Sequence, residues 1–109
     1  MIRWHTKLYF DKGLENDKKR DKIKENVSAR KLTFPGTTGI FLSVNEDNIA
    51  ELIPFNDMLL PAYAKQDYLC LGMCSSYKSA EKLICDLIAD IYKERGYISA
   101  KEVKEIIME

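Results

Sequence analysis

The sequence is poor in the residues from which metal sites and nucleophilic centres are most often built. It has one histidine, His5, and three cysteines, Cys70, Cys74 and Cys85, at no metal-like spacing. With its carboxylates scattered, no recognisable ligand set for zinc or calcium emerges, and no metal is assigned. An odd number of cysteines does not make a disulfide framework. It reads as buried thiols in a reducing compartment. No uncharged apolar run approaches the ~20 residues of a membrane span; Met58–Ala64 is short and contains Pro61. The opening Met1-Ile2-Arg3-Trp4-His5 lacks the apolar stretch of a signal peptide. The expectation is therefore a cytoplasmic protein without membrane contact. With five glycines, the chain carries neither a phosphate-loop nor a dinucleotide-binding glycine pattern, so no cofactor is implied. No carboxylate pair or catalytic triad can be assembled, so no catalytic residue is assigned and the chain leans away from being an enzyme.

What is present is a globular composition, 46% hydrophobic and 31% charged over 109 residues, the size of one α/β domain spanning 1–109. Net charge is zero but uneven. Residues 1–31 hold ten Lys/Arg against five Asp/Glu, and residues 32–109 hold seven against twelve. Such a split marks a basic partner face, or two halves that attract each other or a second copy.

Residues 3–10 alternate, with Trp4, Thr6, Leu8 and Phe10 on one side, and predict a strand. Residues 14–30 predict a charged helix with few apolar positions, Leu14, Ile23 and Val27. Ile40–Val44 is a short apolar run suited to a strand covered on both faces. Asn48 and Glu51 have capping-box spacing, and Ile49, Leu52 and Ile53 share a helical face, which favours a helix over 48–55 ended by Pro54. The competing reading is a hairpin from Ile40–Val44 through a turn into Ile49–Phe55. Tyr68–Cys74 is a third strand, in which Gly72 marks a bulge or a close backbone approach. Ser76 caps the clearest amphipathic helix, 77–95, ended by Gly96, and Ser99 with Glu102 caps a short last helix. The order βαβαβαα predicts a small, mostly parallel three-stranded sheet with helices packed on it, open to a fourth edge strand.

In a parallel sheet the strand C-termini share one edge, where ligands of open α/β folds bind. That edge would gather Asp11, Lys12 and Gly13, then Asn45 with Glu46 and Asp47, then Ser75, Ser76 and Tyr77. Helix N-termini there attract anions, so Lys12, Gly13, Asn45, Ser75, Ser76 and Tyr77 are candidates for holding a small phosphate or carboxylate. The bland alternative is that they cap helices and turn corners. Cys74, before a helix N-terminus, is placed where a thiol can become a nucleophile. A small core hydrophobe is the commoner role for such a cysteine. Lys18, Lys19, Arg20, Lys22, Lys24, Arg30 and Lys31 form a basic face over 14–31 that could meet a nucleic-acid backbone. Interleaved Glu15, Asp17, Asp21 and Glu25, and a pI of 6.6, favour a solvated mixed-charge helix instead. Ile106, Ile107 and Met108 would make an exposed apolar strip for a protein partner or a homodimer if left unpaired.

Two stretches, Asn45–Leu60 (NEDNIAELIPFNDMLL) and Tyr68–Lys82 (YLCLGMCSSYKSAEK), resemble segments of an uncharacterised family of short hypothetical α/β proteins from anaerobic Gram-positive bacteria. The early Trp4-His5-Thr6 strand and the basic helix after it are part of the likeness. No activity is known for that family, so the resemblance implies an origin and no function. A small binding or interaction module without catalysis is the first reading of the residues. A protein holding a small anion at the strand ends is the second, and nucleic-acid contact through 14–31 the third.

Overall fold

A computed structural model describes residues 1–109. Its central strand is the one the sequence marks most clearly, here β4 (Tyr68–Cys74). β4 lies between β1 (Ile2–Phe10), which runs parallel to it, and β2 (Thr38–Leu42), which runs antiparallel. β3 (Ala50–Pro54) pairs antiparallel with β2 and forms the far edge, giving the order β1-β4-β2-β3. The sheet is thus four-stranded and mixed, with one parallel pair. The mostly parallel arrangement expected from the element order is corrected by this pairing. Strand direction depends on long-range pairing, which local periodicity does not encode.

The second correction explains the first. Residues 48–55 form no helix; they continue the hairpin, with Thr38 opposite Pro54 and Leu42 opposite Ala50. The apolar trio that suggested one helical face is split by the strand. Leu52 packs with Ile49 on one side of the sheet, and Ile53 packs on the other. Both faces are covered, so both sides of the strand are apolar and period two disappears. Pro54, which has no N–H to donate, sits on an edge strand where it is tolerated. Phe55–Leu59 then makes a 3-10 turn and α2 (Pro61–Ala64) one helical turn.

Helices cover both faces. α1 (Asp17–Ser28) and the 55–64 segment pack on one, burying Ile23, Val27, Phe41, Phe55 and Met58. α3 (Tyr77–Arg95) and α4 (Ala100–Ile107) pack on the other, burying Ile40, Leu71, Ile84, Ile91 and Val103. Ile107 is buried there and Ile106 half-buried, so the terminal apolar strip is spent on the core and only Met108 remains partly exposed. The caps are where the sequence indicates for these two helices. Ser76 Oγ accepts from Ser79 N (3.1 Å), Ser99 Oγ accepts from Glu102 N (3.2 Å), and Gly96 ends α3 at φ +76°. α1 begins later than its charge pattern suggests: Asn16 is its cap, and Leu14 is fully buried in a 3-10 turn before it.

Gly72 marks both features anticipated for it. Phe41 stands opposite Cys70 and Ile40 opposite Gly72, leaving Leu71 as the extra residue of a bulge. A Cβ at Gly72 would lie 3.0 Å from the Tyr9 carbonyl oxygen. Across from it, His5–Leu8 of β1 stand against the single residue Leu71. The middle of that edge strand therefore swings away from the sheet.

Candidate functional site

Because β2 runs antiparallel to β4, the predicted strand-end edge is divided. Lys12 and Gly13 do meet Ser75, Ser76 and Tyr77, since β1 and β4 are parallel. Asn45 does not join them. It follows the C-terminal end of β2 at the opposite end of the sheet, where Lys104 Nζ donates to its carbonyl (2.7 Å) and to that of Ser43 (3.0 Å). The N-terminal approach to β2 takes its place, with Thr38 in register with Cys74.

At this edge the organising group is Asp11. Its Oδ2 accepts from the Ser75 N–H (2.9 Å), the Ser75 hydroxyl (2.7 Å) and the Ser79 hydroxyl (2.6 Å). Burial alone would raise the carboxyl's pKa. The bonds from Ser79 and Ser75 outweigh it and hold the group below its ordinary value. The carboxylate sits over the start of α3, the place an external anion would take. Its other oxygen, Oδ1, is buried without a hydrogen-bond partner. Gly13 is required for contact: a Cβ there would stand 2.6 Å from the Ser75 side chain. Lys12 and Tyr77 are exposed around this closed knot. An added phosphate would meet a negative charge already in place. Cys74 lies beneath it, with its thiol pushed up to about 12 by burial and then by the Asp11 charge. Cys70, likewise at about 12 through burial, donates to the Gly72 carbonyl (3.1 Å). Both thiols stay protonated at neutral pH, so neither is a nucleophile.

The basic face is largely committed within the fold. The Arg20 guanidinium lies 4.0 Å from the centre of the Phe10 ring and donates to the Leu14 (2.6 Å) and Glu15 (2.8 Å) carbonyls. Lys19 stands over Phe34 and Lys24 over Trp4. Lys22 faces Glu25 at 3.6 Å. Lys18 and Lys31 alone of the seven make no bond to the rest of the chain.

The enclosed concavity lies at the other end of β1 and β4, a cavity of about 270 Å³. Val27, Phe55, Met58, Tyr63 and Tyr68 give it an apolar and largely aromatic wall. The charged side chains lining it are Arg30 and Lys31; no carboxylate lines it. Its walls are tied together. Thr33 N donates to Asn56 Oδ1 (2.8 Å) and Asn56 Nδ2 to the Thr33 carbonyl (3.3 Å), which clamps the loop after α1 to the 55–59 turn. The Tyr68 hydroxyl donates to Gln66 Oε1 (3.1 Å), and burial, with Glu51 and Tyr63, raises its pKa, so it remains a neutral donor. α1 ends beside the cavity in a Schellman turn: Lys31 N donates to the Asn26 carbonyl (2.8 Å) and Arg30 N to that of Val27 (3.1 Å). Arg30 therefore occupies the left-handed position, φ +57°, where glycine is the usual residue.

Sequence reasoning picked out Arg30 and Lys31 as basic but not the cavity they line. Its walls come from residues 27–31, 55–64 and 68, brought together only by the tertiary fold. The local clue is an arginine, with no glycine near it, at the end of a helix.

The remaining polar groups gather into no other centre. No three His, Cys, Asp or Glu side chains come together as a metal would require. His5 is engaged by the Lys7 backbone (3.0–3.1 Å) and by the Met108 carbonyl (3.3 Å). No helix is long and apolar enough to cross a membrane. No protein-family model matches the chain, and neither a curated protein nor a solved structure is significantly similar to it.

Proposed function

We propose that this chain is a small-ligand binding module without chemistry of its own, and that its ligand occupies the cavity between the end of α1 and the 55–64 segment. One observation carries the reading: this cavity is enclosed and apolar with unneutralised charge beside it, whereas the strand-end edge has filled its own anion position with Asp11. At about 270 Å³ the cavity lies just below the ~300–1,000 Å³ of sites that bury drug-sized ligands, which suits a compact molecule. The side chains most often used as nucleophile or base are otherwise occupied: two thiols are buried and protonated, and the one imidazole is tied to backbone.

Self-association through the sheet edges is not part of this reading. β3 is short and ends in Pro54, and β1 carries Arg3 and Lys7 and leaves the sheet plane over His5–Leu8. Both are features that discourage edge pairing.

The test is a ligand-observed NMR screen of compact amphipathic compounds, followed by thermal melts. A compound at tenfold over its Kd stabilises by about 1.4 kcal/mol and raises the melting temperature by about 5 °C. Ala64→Trp, at an exposed lining position, should abolish the shift while leaving the unliganded melt in place. A screen without hits, or hits indifferent to Ala64→Trp, would sink the proposal.

A further inference from the structure

We infer that the ligand is a small carboxylate with a ring or short aliphatic body, its carboxylate held by Arg30 and Lys31 and its body against Phe55, Met58, Tyr63 and Tyr68. This rests on the binding reading above and goes further by naming the chemical class.

The charges lead there first. Both charged side chains that line the cavity are cations, and neither is in a salt bridge. Arg30 makes one side-chain bond, Nη2 to the Leu59 carbonyl at 3.3 Å, and Lys31 makes none. Most of the guanidinium donors are thus free to take a carboxylate in the paired geometry that arginine favours. The acids nearby do not neutralise the pair: Asp57 is not part of the lining, and Asp67 faces the Met1 ammonium at 3.3 Å.

The backbone gives a second, independent reason. Position 30 is left-handed, and glycine would sit there without strain. An arginine at that position is a local cost with no compensating contact in the fold beyond one long hydrogen bond. Strain of this kind collects at functional sites, where the side chain is needed for something outside the fold. Here the side chain stands at the mouth of the cavity.

The wall then sets the body of the ligand. Tyr63 and Tyr68 are tilted at 6.3 Å between ring centres, with Phe55 also in the lining. Such a wall suits one aromatic ring or a short alkyl chain. An inorganic anion would leave it unfilled.

The experiment is titration of the ¹⁵N-labelled full chain with phenylacetate, octanoate, phenylacetamide and inorganic phosphate. Phenylacetate or octanoate should move the amides of 27–31, 55–64 and 68. Phenylacetamide and phosphate should bind about tenfold more weakly or not at all. Arg30→Gly should weaken phenylacetate about tenfold while melting no lower than the parent. Arg30→Asn, whose side chain also tolerates the left-handed region, should do the same, so that a folding defect in one variant does not decide the matter. Phenylacetamide binding as tightly as phenylacetate, or unchanged affinity in both Arg30 variants, overturns the carboxylate assignment and leaves the binding module standing. If neither the charged nor the neutral probes bind, both proposals fall.

Discussion

The two ends of the sheet are made from the same strands and are finished in opposite ways. Where β1 and β4 end, polar groups are dense and satisfy one another: Asp11 takes three hydrogen bonds from Ser75 and Ser79, and Gly13 closes over Ser75. Where they begin, the surface is mainly apolar, and its cations have no carboxylate beside them. The richer end looks like a site in the sequence and is a structural clasp. The sparser end has unmet bonding capacity. What marks a place for a ligand in this fold is the polar group left without a partner, and density of polar residues alone does not reveal it.

That contrast predicts that the two ends respond differently to substitution. Asp11→Ala leaves one N–H and two hydroxyls without their acceptor and should cost about 3 kcal/mol in urea unfolding, with phenylacetate affinity within about twofold of the parent. A comparable loss of affinity would mean that the two ends are coupled. Gly13→Ala forces a methyl against Ser75 and should cost about 2 kcal/mol by the same measurement. Free tolerance of alanine there would show that the clasp is loose. Arg30→Gly has the opposite sign, a gain of about 1 kcal/mol in stability alongside lost binding, because the backbone relaxes. A destabilised Arg30→Gly would show that the side chain serves the fold after all.

The smallest effect is in pH. The Asp11 carboxyl is held below its ordinary 3.8, so the unfolded chain binds that proton more tightly than the folded one. Its contribution is complete above the unfolded value and is lost as pH falls through the folded one. Urea midpoints between about pH 5 and 3 should therefore decline less steeply in Asp11→Asn than in the parent. Parallel slopes would mean that the hydrogen bonds do not favour the charged form.

Much of the fold was legible because its signals are local. β1 and β4, the long helix α3, its Ser76 cap and Gly96 stop, the Ser99 cap and the irregularity at Gly72 each follow from a few neighbouring residues. The hairpin partner β3 was not preferred, because a strand buried on both faces has no alternation, and Ile49, Leu52 and Ile53 fit a helix equally well. That one ambiguity set the direction of β2 and so misplaced Asn45 by the length of the sheet. Lys12, Gly13, Ser75, Ser76 and Tyr77 were grouped correctly because their strands are parallel. Their closure by Asp11 depends on a hydrogen bond across 64 residues, which no spacing rule contains.

The Leu71 bulge has a consequence for what kinds of sequence change the chain can absorb. Up to Leu71, odd positions of β4 face α3 and even ones face α1; after it, Met73 faces α1 and Cys74 faces α3. The bulge therefore works as a one-residue frameshift in the strand's inside–outside code. Deleting Leu71 would restore simple alternation and turn the later residues to the wrong layers, carrying the Ser75 turn out of phase with Asp11. Point substitutions along β4 can be accommodated one at a time, but a gain or loss of a single residue there requires a second, compensating one before Ser75.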